Sequence, residues 1–251
     1  MEIDSFRKKI PLVTLIVCFL IFQYLLTRTY KVIFCDVGQG AATFFSLGST
    51  QILVDTGADG RVLSCIGKYM PFFDRTIEFV IISHNQTDHA GALYLISQRY
   101  TIQNIIGPPD LPRLPKNIAT VSVVAPVYFM IDHVQFTVVK ASQSSKDINE
   151  SANVVTITTP HQIIFLTSDI NGFELKKLLP RTCTILEVPH HGSKYGIYPD
   201  SLLLAHPTLA VISVGNKNTY GHPSKEALDI LKAKKVPIWR TDKQGELVIE
   251  L

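Results

Sequence analysis

The sequence has little of what many specialised chain classes need. Among its 251 residues are four cysteines, one tryptophan and three methionines. No CxxC pair, internal repeat or low-complexity stretch occurs, which argues against a zinc ribbon, a disulfide-dense miniprotein and a solenoid. Excess charge of one sign is also missing. The net charge is +3, and residues 1–30 hold four of the 24 basic and two of the 21 acidic side chains, leaving 20 against 19 beyond them. A body this near neutrality gives no reason to expect a broad polyanion-binding surface. Lys232, Lys234, Lys235 and Arg240 form the one dense basic group, and a solvated face accounts for it. Cys18, Cys35, Cys65 and Cys183 read as small buried hydrophobes, with one bonded pair left open for an oxidising compartment.

One long apolar run is present. Residues 10–27, IPLVTLIVCFLIFQYLLT, reach the minimum length for crossing a bilayer. Arg7, Lys8 and Lys9 precede the run and Arg28 and Lys31 follow it, a mild bias for a cytoplasmic N-terminus and a domain outside. The stretch QYLLTRTY lacks a small-x-small cleavage site, and the bulky Val17 before Cys18 argues against lipidation there. The expectation is an uncleaved single-pass anchor within residues 1–29 and an extracytoplasmic domain over 30–251.

Beyond Tyr30 the pattern alternates between strands and helices. YKVIFCDV, AATFFSL and QILVD read as short strands separated by glycines. Helices are expected at 60–70, 89–99, 171–179, 199–205 and 223–234. Further strands are expected at FVIIS before His84, at Gln103–Ile106, near 121–125, 133–140, 153–159 and 162–167, at TILEV and LAVISV, and twice at the C-terminus. The Pro-rich segment 107–117 reads as a loop. Two runs of mixed strands with intervening helices imply a four-layer α/β sandwich, with polar residues gathered just past strand ends.

The segment IISHNQTDHAGAL carries the clearest chemistry. An apolar strand delivers His84, and the next loop brings Asp88 and His89 before a helix starts. Imidazoles and carboxylates packed this closely are costly to bury unless a cation organises them. Asp88 could also cap the helix, a role compatible with ligation.

His84-x-x-x-Asp88-His89 resembles the HxHxDH signature of the metallo-β-lactamase superfamily. Further stretches are similar to its ComEC-type branch, the C-terminal hydrolase domain of DNA-uptake proteins: FCDVGQGAA, ILVDTG, FLTSDI, EVPHHGS, VISVGNKNTYGHP and a closing WRTDKQGEL hairpin. They occur in the family's order across residues 31–251. The resemblance implies a four-layer αββα sandwich and two divalent metal ions, zinc or manganese. His84 would serve the first ion, Asp88 and His89 the second, with Asp169 bridging and His222 completing the second site. His190 and His191 would face the same cleft as catalytic groups, and which of them points inward stays open. Asp36, Asp55 and Asn153 would orient the ligands from outside. The implied activity is hydrolysis of single-stranded DNA or another phosphodiester at a membrane, where any transport role would need a separate channel protein.

The sequence departs from the family at the first metal. Gln86 stands where His or Asp is usual, and a neutral amide is a weak ligand. In DINESANVV the residues Asn149, Ser151 and Asn153 stand near the position where another ligand is expected, while Ser168 and Ala41 also replace usual residues. Gln86 remains an additional candidate ligand. Three functional classes stay in view: a membrane-anchored nuclease or phosphodiesterase, a binding relative with a degraded first site, and a hydrolase of another ester.

Overall fold

Short β-branched runs cut by glycine and proline become edge-to-edge strands rather than long elements, and this chain is built from such runs. The computed structural model describes residues 12–22, 30–111, 118–203 and 205–251. Its strands are β1 (Tyr30–Phe34), β2 (Thr43–Leu47), β3 (Thr50–Val54), β4 (Thr76–Ile81), β5 (Thr101–Ile106) and β6 (Ala119–Val121), then β7 (Val127–Ile131), β8 (Val134–Lys140) and β9 (Asn153–Thr158). β10 (Ile163–Leu166), β11 (Ile185–Glu187), β12 (Leu209–Ile212), β13 (Ile238–Arg240) and β14 (Leu247–Glu250) complete the set. One sheet has the order β14-β1-β2-β3-β4-β5-β6 and the other β13-β12-β11-β10-β9-β8-β7.

The inner faces of the sheets meet in a core that includes Phe34, Phe45, Phe136 and Ile164. On the outer face of the first sheet, the helices Arg61–Tyr69 and Leu93–Arg99 insert Val62, Ile66, Leu93 and Ile96. On the outer face of the second, the helices Gly172–Leu178 and Lys225–Ala233 insert Leu175, Ala227 and Leu231. The result is the expected α/β sandwich of two sheets. β3 runs parallel to β4, and β10, β11 and β12 are mutually parallel. Their carboxyl ends lie towards one rim, where open α/β sheets bind ligands.

Several local expectations need correction. Cys35 and Cys65 form a disulfide, with Cα atoms 5.9 Å apart, rather than packing as free thiols. It ties the end of β1 to the helix Arg61–Tyr69, a pairing across 30 residues that no local pattern encodes. The C-terminal segment is not a hairpin, because β13 pairs with β12 in one sheet and β14 with β1 in the other. A helical turn, Thr241–Gln244, redirects the chain between them. Arg240 pairs with Asp242, and the Trp239 indole donates to the Gly245 carbonyl across that turn. Residues 201–203 form turns instead of the expected helix. β7 has no counterpart in the sequence reading; it folds back on β8 through Asp132 and His133, with Asp132 in the left-handed region.

Within the apolar run 10–27, residues 12–22 are helical with their side chains exposed, and the rest lies outside the described residues. No helix among the described residues is long and apolar enough to cross a membrane.

Candidate metal centre

Strand ends deliver the polar residues to one place. β3 is followed by Asp55, β4 leads through Ser83 to His84, β10 leads to Asp169, and β11 leads to His190 and His191. Six non-glycine residues with described backbones have positive φ, and four of them are Asp55, Ser168, His190 and His191. Such conformations cost about 1–3 kcal/mol each and persist where the surroundings impose them. At the double histidine the successive left-handed turns bury His191 and leave His190 at the rim.

Asp88, His89, Asp169 and His191 offer ligand atoms that all lie within 4.8 Å of one another. His89 Nε2 is 3.1 Å from Asp169 Oδ1, and His191 Nε2 is 3.2 Å from Asp88 Oδ2 and 3.6 Å from Asp169 Oδ1. Proximity here is not hydrogen bonding: His89 Nε2, His191 Nε2 and Asp169 Oδ1 are buried without a hydrogen-bond partner. The opposite ring nitrogens explain why. His191 Nδ1 lies 2.8 Å from the Ser213 carbonyl, which can only accept, so Nδ1 carries a proton and a neutral ring presents a lone pair at Nε2. His89 Nδ1 lies 2.7 Å from Asp55 Oδ2, which fixes the same orientation. Two imidazole lone pairs and a carboxylate oxygen thus face a common point. A bound cation satisfies them, and the donor set suits one.

Without a cation, protons take its place. Burial opposes charge on His89, but Asp169 and Asp55 outweigh it and hold its pKa well above that of a free imidazole. His191 is raised for the same reason, against burial, by Asp169 and Asp88. Burial likewise opposes charge on Asp169, yet His89 and His191 keep it well below the usual carboxylate range.

Asp55 is fixed in turn. Its carboxylate accepts from the Ser83 amide at 2.7 Å and the Ser83 hydroxyl at 2.8 Å. With its proton given to Asp55, Ser83 Oγ is free to accept from His84 Nδ1, 3.0 Å away, and Ser168 Oγ lies 3.2 Å from the same nitrogen. His84 Nε2 is left buried without a partner. Burial, with the neighbouring His89, pushes its pKa down to about 4, so the ring is neutral at pH 7.

The remaining candidates fall around this group. His84 is outside the four, its ring centroid 4.3 Å from that of His89. His222 is also outside, with its ring 5.8 Å from His190 and a buried Nδ1 lacking a partner. Burial, then the charges of His190 and His191, lower its pKa. His190 Nε2 is 3.6 Å from Asp169 Oδ2. Gln86 ends the loop before the short helix Thr87–Ala90 and donates from Nε2 to Asn149 Oδ1 at 2.8 Å. The helix therefore begins after Gln86, and Asp88 lies inside it rather than capping it. Asn153 joins the two sheets: its backbone amide donates to the Ser83 carbonyl at 2.9 Å and its side chain to the Ile82 carbonyl at 3.0 Å. Asp36 is exposed and accepts from the Gly38 amide in its own turn. That turn still serves the site, because the Ala41 amide donates to the Asp88 carbonyl. At Gly40, φ +131°, an added Cβ would stand 2.3 Å from the Asp88 carbonyl oxygen. Only glycine lets the turn press so close.

Sequence reasoning missed Ser83, Ser168 and Glu187. Each adjoins a named candidate, but a serine or glutamate there carries no distinctive spacing. Glu187 is buried and accepts from the Thr167 and Ser168 amides. Burial, with Asp55 nearby, raises its pKa from 4.5 to about 7. The folded state therefore holds this proton more tightly than the unfolded chain. The stability it lends is full below about pH 4.5 and is lost as pH rises through about 7. The loss amounts to about 3 kcal/mol at ~1.4 kcal/mol per pK unit. Glu187→Gln should remove this component: urea melts of chelated protein at pH 5 and 8 should differ less in the variant by about that amount. Equal pH dependence in both proteins would refute it.

Comparison with known proteins agrees with this geometry. Residues 35–215 match the metallo-beta-lactamase superfamily. "Recombination protein 2" of Haemophilus influenzae is 26% identical, covering 98% of this chain and 32% of the relative. "ComE operon protein 3" of Bacillus subtilis is 24% identical over 92% of this chain and 34% of its own length. The chain thus spans about a third of the length of these curated relatives. Among solved structures, the metallo-beta-lactamase fold protein YhfI from Bacillus subtilis superposes with a TM-score of 0.61 at 15% identity, covering 88% of this chain and 100% of that one. A metallo hydrolase from the archaeon Ignicoccus hospitalis gives 0.59 at 16% identity, over 88% and 99%.

Proposed function

Because the chain belongs to the metallo-β-lactamase superfamily and has the fold of its metal-dependent hydrolases, we propose that it is a membrane-anchored phosphodiesterase acting on DNA. The convergence of His89 Nε2, His191 Nε2 and Asp169 Oδ1, all buried and unpartnered beside Asp88, carries this reading. In it, Asp88, His89, Asp169 and His191 hold a divalent cation, zinc or manganese. Such a cation supplies Lewis acidity at a phosphoryl oxygen and lowers the pKa of water. Asp55 and the Ser213 carbonyl fix the two imidazoles so that their lone pairs stay aimed inward. His190 and His222, adjacent at the rim, are placed to hydrogen-bond a substrate oxygen or pass a proton to the departing one.

The family's first ion, the one His84 would serve, fits less well. His84 brings one free nitrogen and Gln86, whose Nε2 donates to Asn149, only a neutral amide oxygen, and the described residues contain no second group of three or more His, Cys, Asp or Glu donors. That observation favours the alternative of a binding relative with a degraded first site. Anchoring is supported by the apolar helix at 12–22 and the exposed pair Phe72 and Phe73 beside it. The Phe19 ring centroid lies 5.7 Å from that of Phe72. The name "Recombination protein 2" supports a link to DNA; in this reading the link is to DNA uptake, and a separate channel protein would carry the DNA.

The test is metal content together with cleavage of single- and double-stranded DNA across a metal titration. One tight equivalent and activity rising steeply with added metal are expected. Gln86→Asp should tighten uptake about tenfold, since even a well-screened unit charge near the cation is worth ~1 kcal/mol or more, and should raise cleavage. Gln86→Ala should cost little. If wild type and Gln86→Asp are both inert on DNA and simple phosphodiesters at saturating metal, the binding relative replaces the enzyme.

A further inference from the structure

Beside His84 lies a cavity of about 430 Å³, at the low end of the size range of small-molecule sites. Its lining changes character from floor to rim. Ser83, His84 and Asn153 form a polar floor, and His84 is only 2% exposed with its Nε2 unpartnered. Val124, 81% exposed, and Ile148, 39% exposed, supply apolar surface. The charged lining residues are Asp110, Lys140 and Lys146, besides the neutral His84. Asp110 is already engaged, because Asn85 Nδ2 donates to its carbonyl at 2.6 Å and lies 3.3 Å from its carboxylate. Neither lysine has an ion-pair partner among the described residues. Lys140 is half-buried at the end of β8, and Lys146 is exposed in the loop that follows.

We propose that this cavity binds one nucleotide of an unpaired strand, with Lys140 and Lys146 on its phosphates and the base against Val124 and Ile148. The proposal rests on the phosphodiesterase reading and names the form of its substrate. An anion with a flat apolar face and hydrogen-bonding edges matches this lining: two unpaired cations, exposed aliphatic surface and a floor of hydroxyl and amide groups. Ser83 and Asn153, buried where the two sheets join, would meet the hydrogen-bonding edge of the base, an edge that is free only in an unpaired strand. His84 contributes by position: it lines the cavity with its ring centroid 4.3 Å from that of His89, so the cavity adjoins the candidate metal group through this one side chain.

The test uses the full chain and a fluorescein-labelled oligothymidylate. Binding to chelated protein is followed by anisotropy across a salt series, and hydrolysis of the oligonucleotide is compared with that of bis(4-nitrophenyl) phosphate. For the Lys140→Ala/Lys146→Ala double variant, binding should weaken tenfold or more. Its log–log salt slope should become shallower by about 1.4, the value for two lost single-strand phosphate contacts. Lys140→Arg/Lys146→Arg should restore most binding, which a folding defect would not allow. With metal, the double variant should lose at least tenfold more activity on the oligonucleotide than on the small ester. Unchanged affinity and slope, or no oligonucleotide binding by wild type, overturns the proposal. If wild type hydrolyses neither substrate yet binding falls as described, the cavity assignment stands and the enzyme reading fails. If wild type hydrolyses both and the double variant matches it, the cavity assignment alone falls.

Discussion

Asp169→Ala should abolish tight metal uptake and lower phosphodiester cleavage by well over a hundredfold. Loss of an outer partner of a metal ligand already costs about 10–100-fold, and Asp169 stands closer than that. Its Oδ1 lies 3.1 Å from His89 Nε2 and 3.6 Å from His191 Nε2, and it is the buried carboxylate common to both rings. Asp55→Asn serves as the graded control. It preserves shape while removing the charge that orients His89, and should fall in the range of an outer partner. Calorimetric titration with zinc and manganese, read beside cleavage rates, checks both. Asp169→Ala protein that still takes up one tight equivalent would show that the four residues are not the metal group.

Reduction of the Cys35–Cys65 disulfide should destabilise the domain by about 3.5 kcal/mol, the loop-closure value for a span of this length. For a domain of this size that lowers the melting temperature by about 10 °C. The same loss is expected for Cys35→Ala/Cys65→Ala, with Cys183 buried and free in both proteins. Thermal melts with and without a thiol reductant are the measurement, and coincident melts would refute the expectation. The bond also bears on location. Bonds of this kind persist in oxidising compartments and are rare in the cytosol of most organisms.

The sandwich was legible in the sequence because its strands are short, β-branched and bounded by glycine or proline, and because its motifs sit just past strand ends. The candidate metal group was legible as far as residue type and spacing reach. Asp88, His89 and Asp169 each follow a strand in a recognisable run. The choice between His190 and His191 was not, since it depends on successive left-handed turns whose effect emerges only with the backbone in place. The 35–65 pairing was hidden for a related reason, as it joins a strand to a helix across the edge of the core. The end of the chain misled because WRTDKQGEL carries hairpin-like turn residues, while the partners of its two strands belong to different sheets. The cavity with Lys140 and Lys146 has no motif at all, and only the packing of β8 and its following loop against the His84 segment creates it.

The pairing of β1 with β14 sets how the body would stand on a bilayer. The Leu251 amide donates to the Tyr30 carbonyl, so residues 30 and 251 leave the fold side by side at one pole. From that pole β1 climbs four steps to Phe34, about 13 Å at ~3.3 Å per residue, and reaches the rim where Asp55 and His84 lie. An apolar anchor ahead of Tyr30, as proposed above, would hold the domain by this pole and leave the rim of the candidate metal group facing away from the lipid. Lengthening the stretch before Tyr30 would then change the height of the rim without disturbing its geometry.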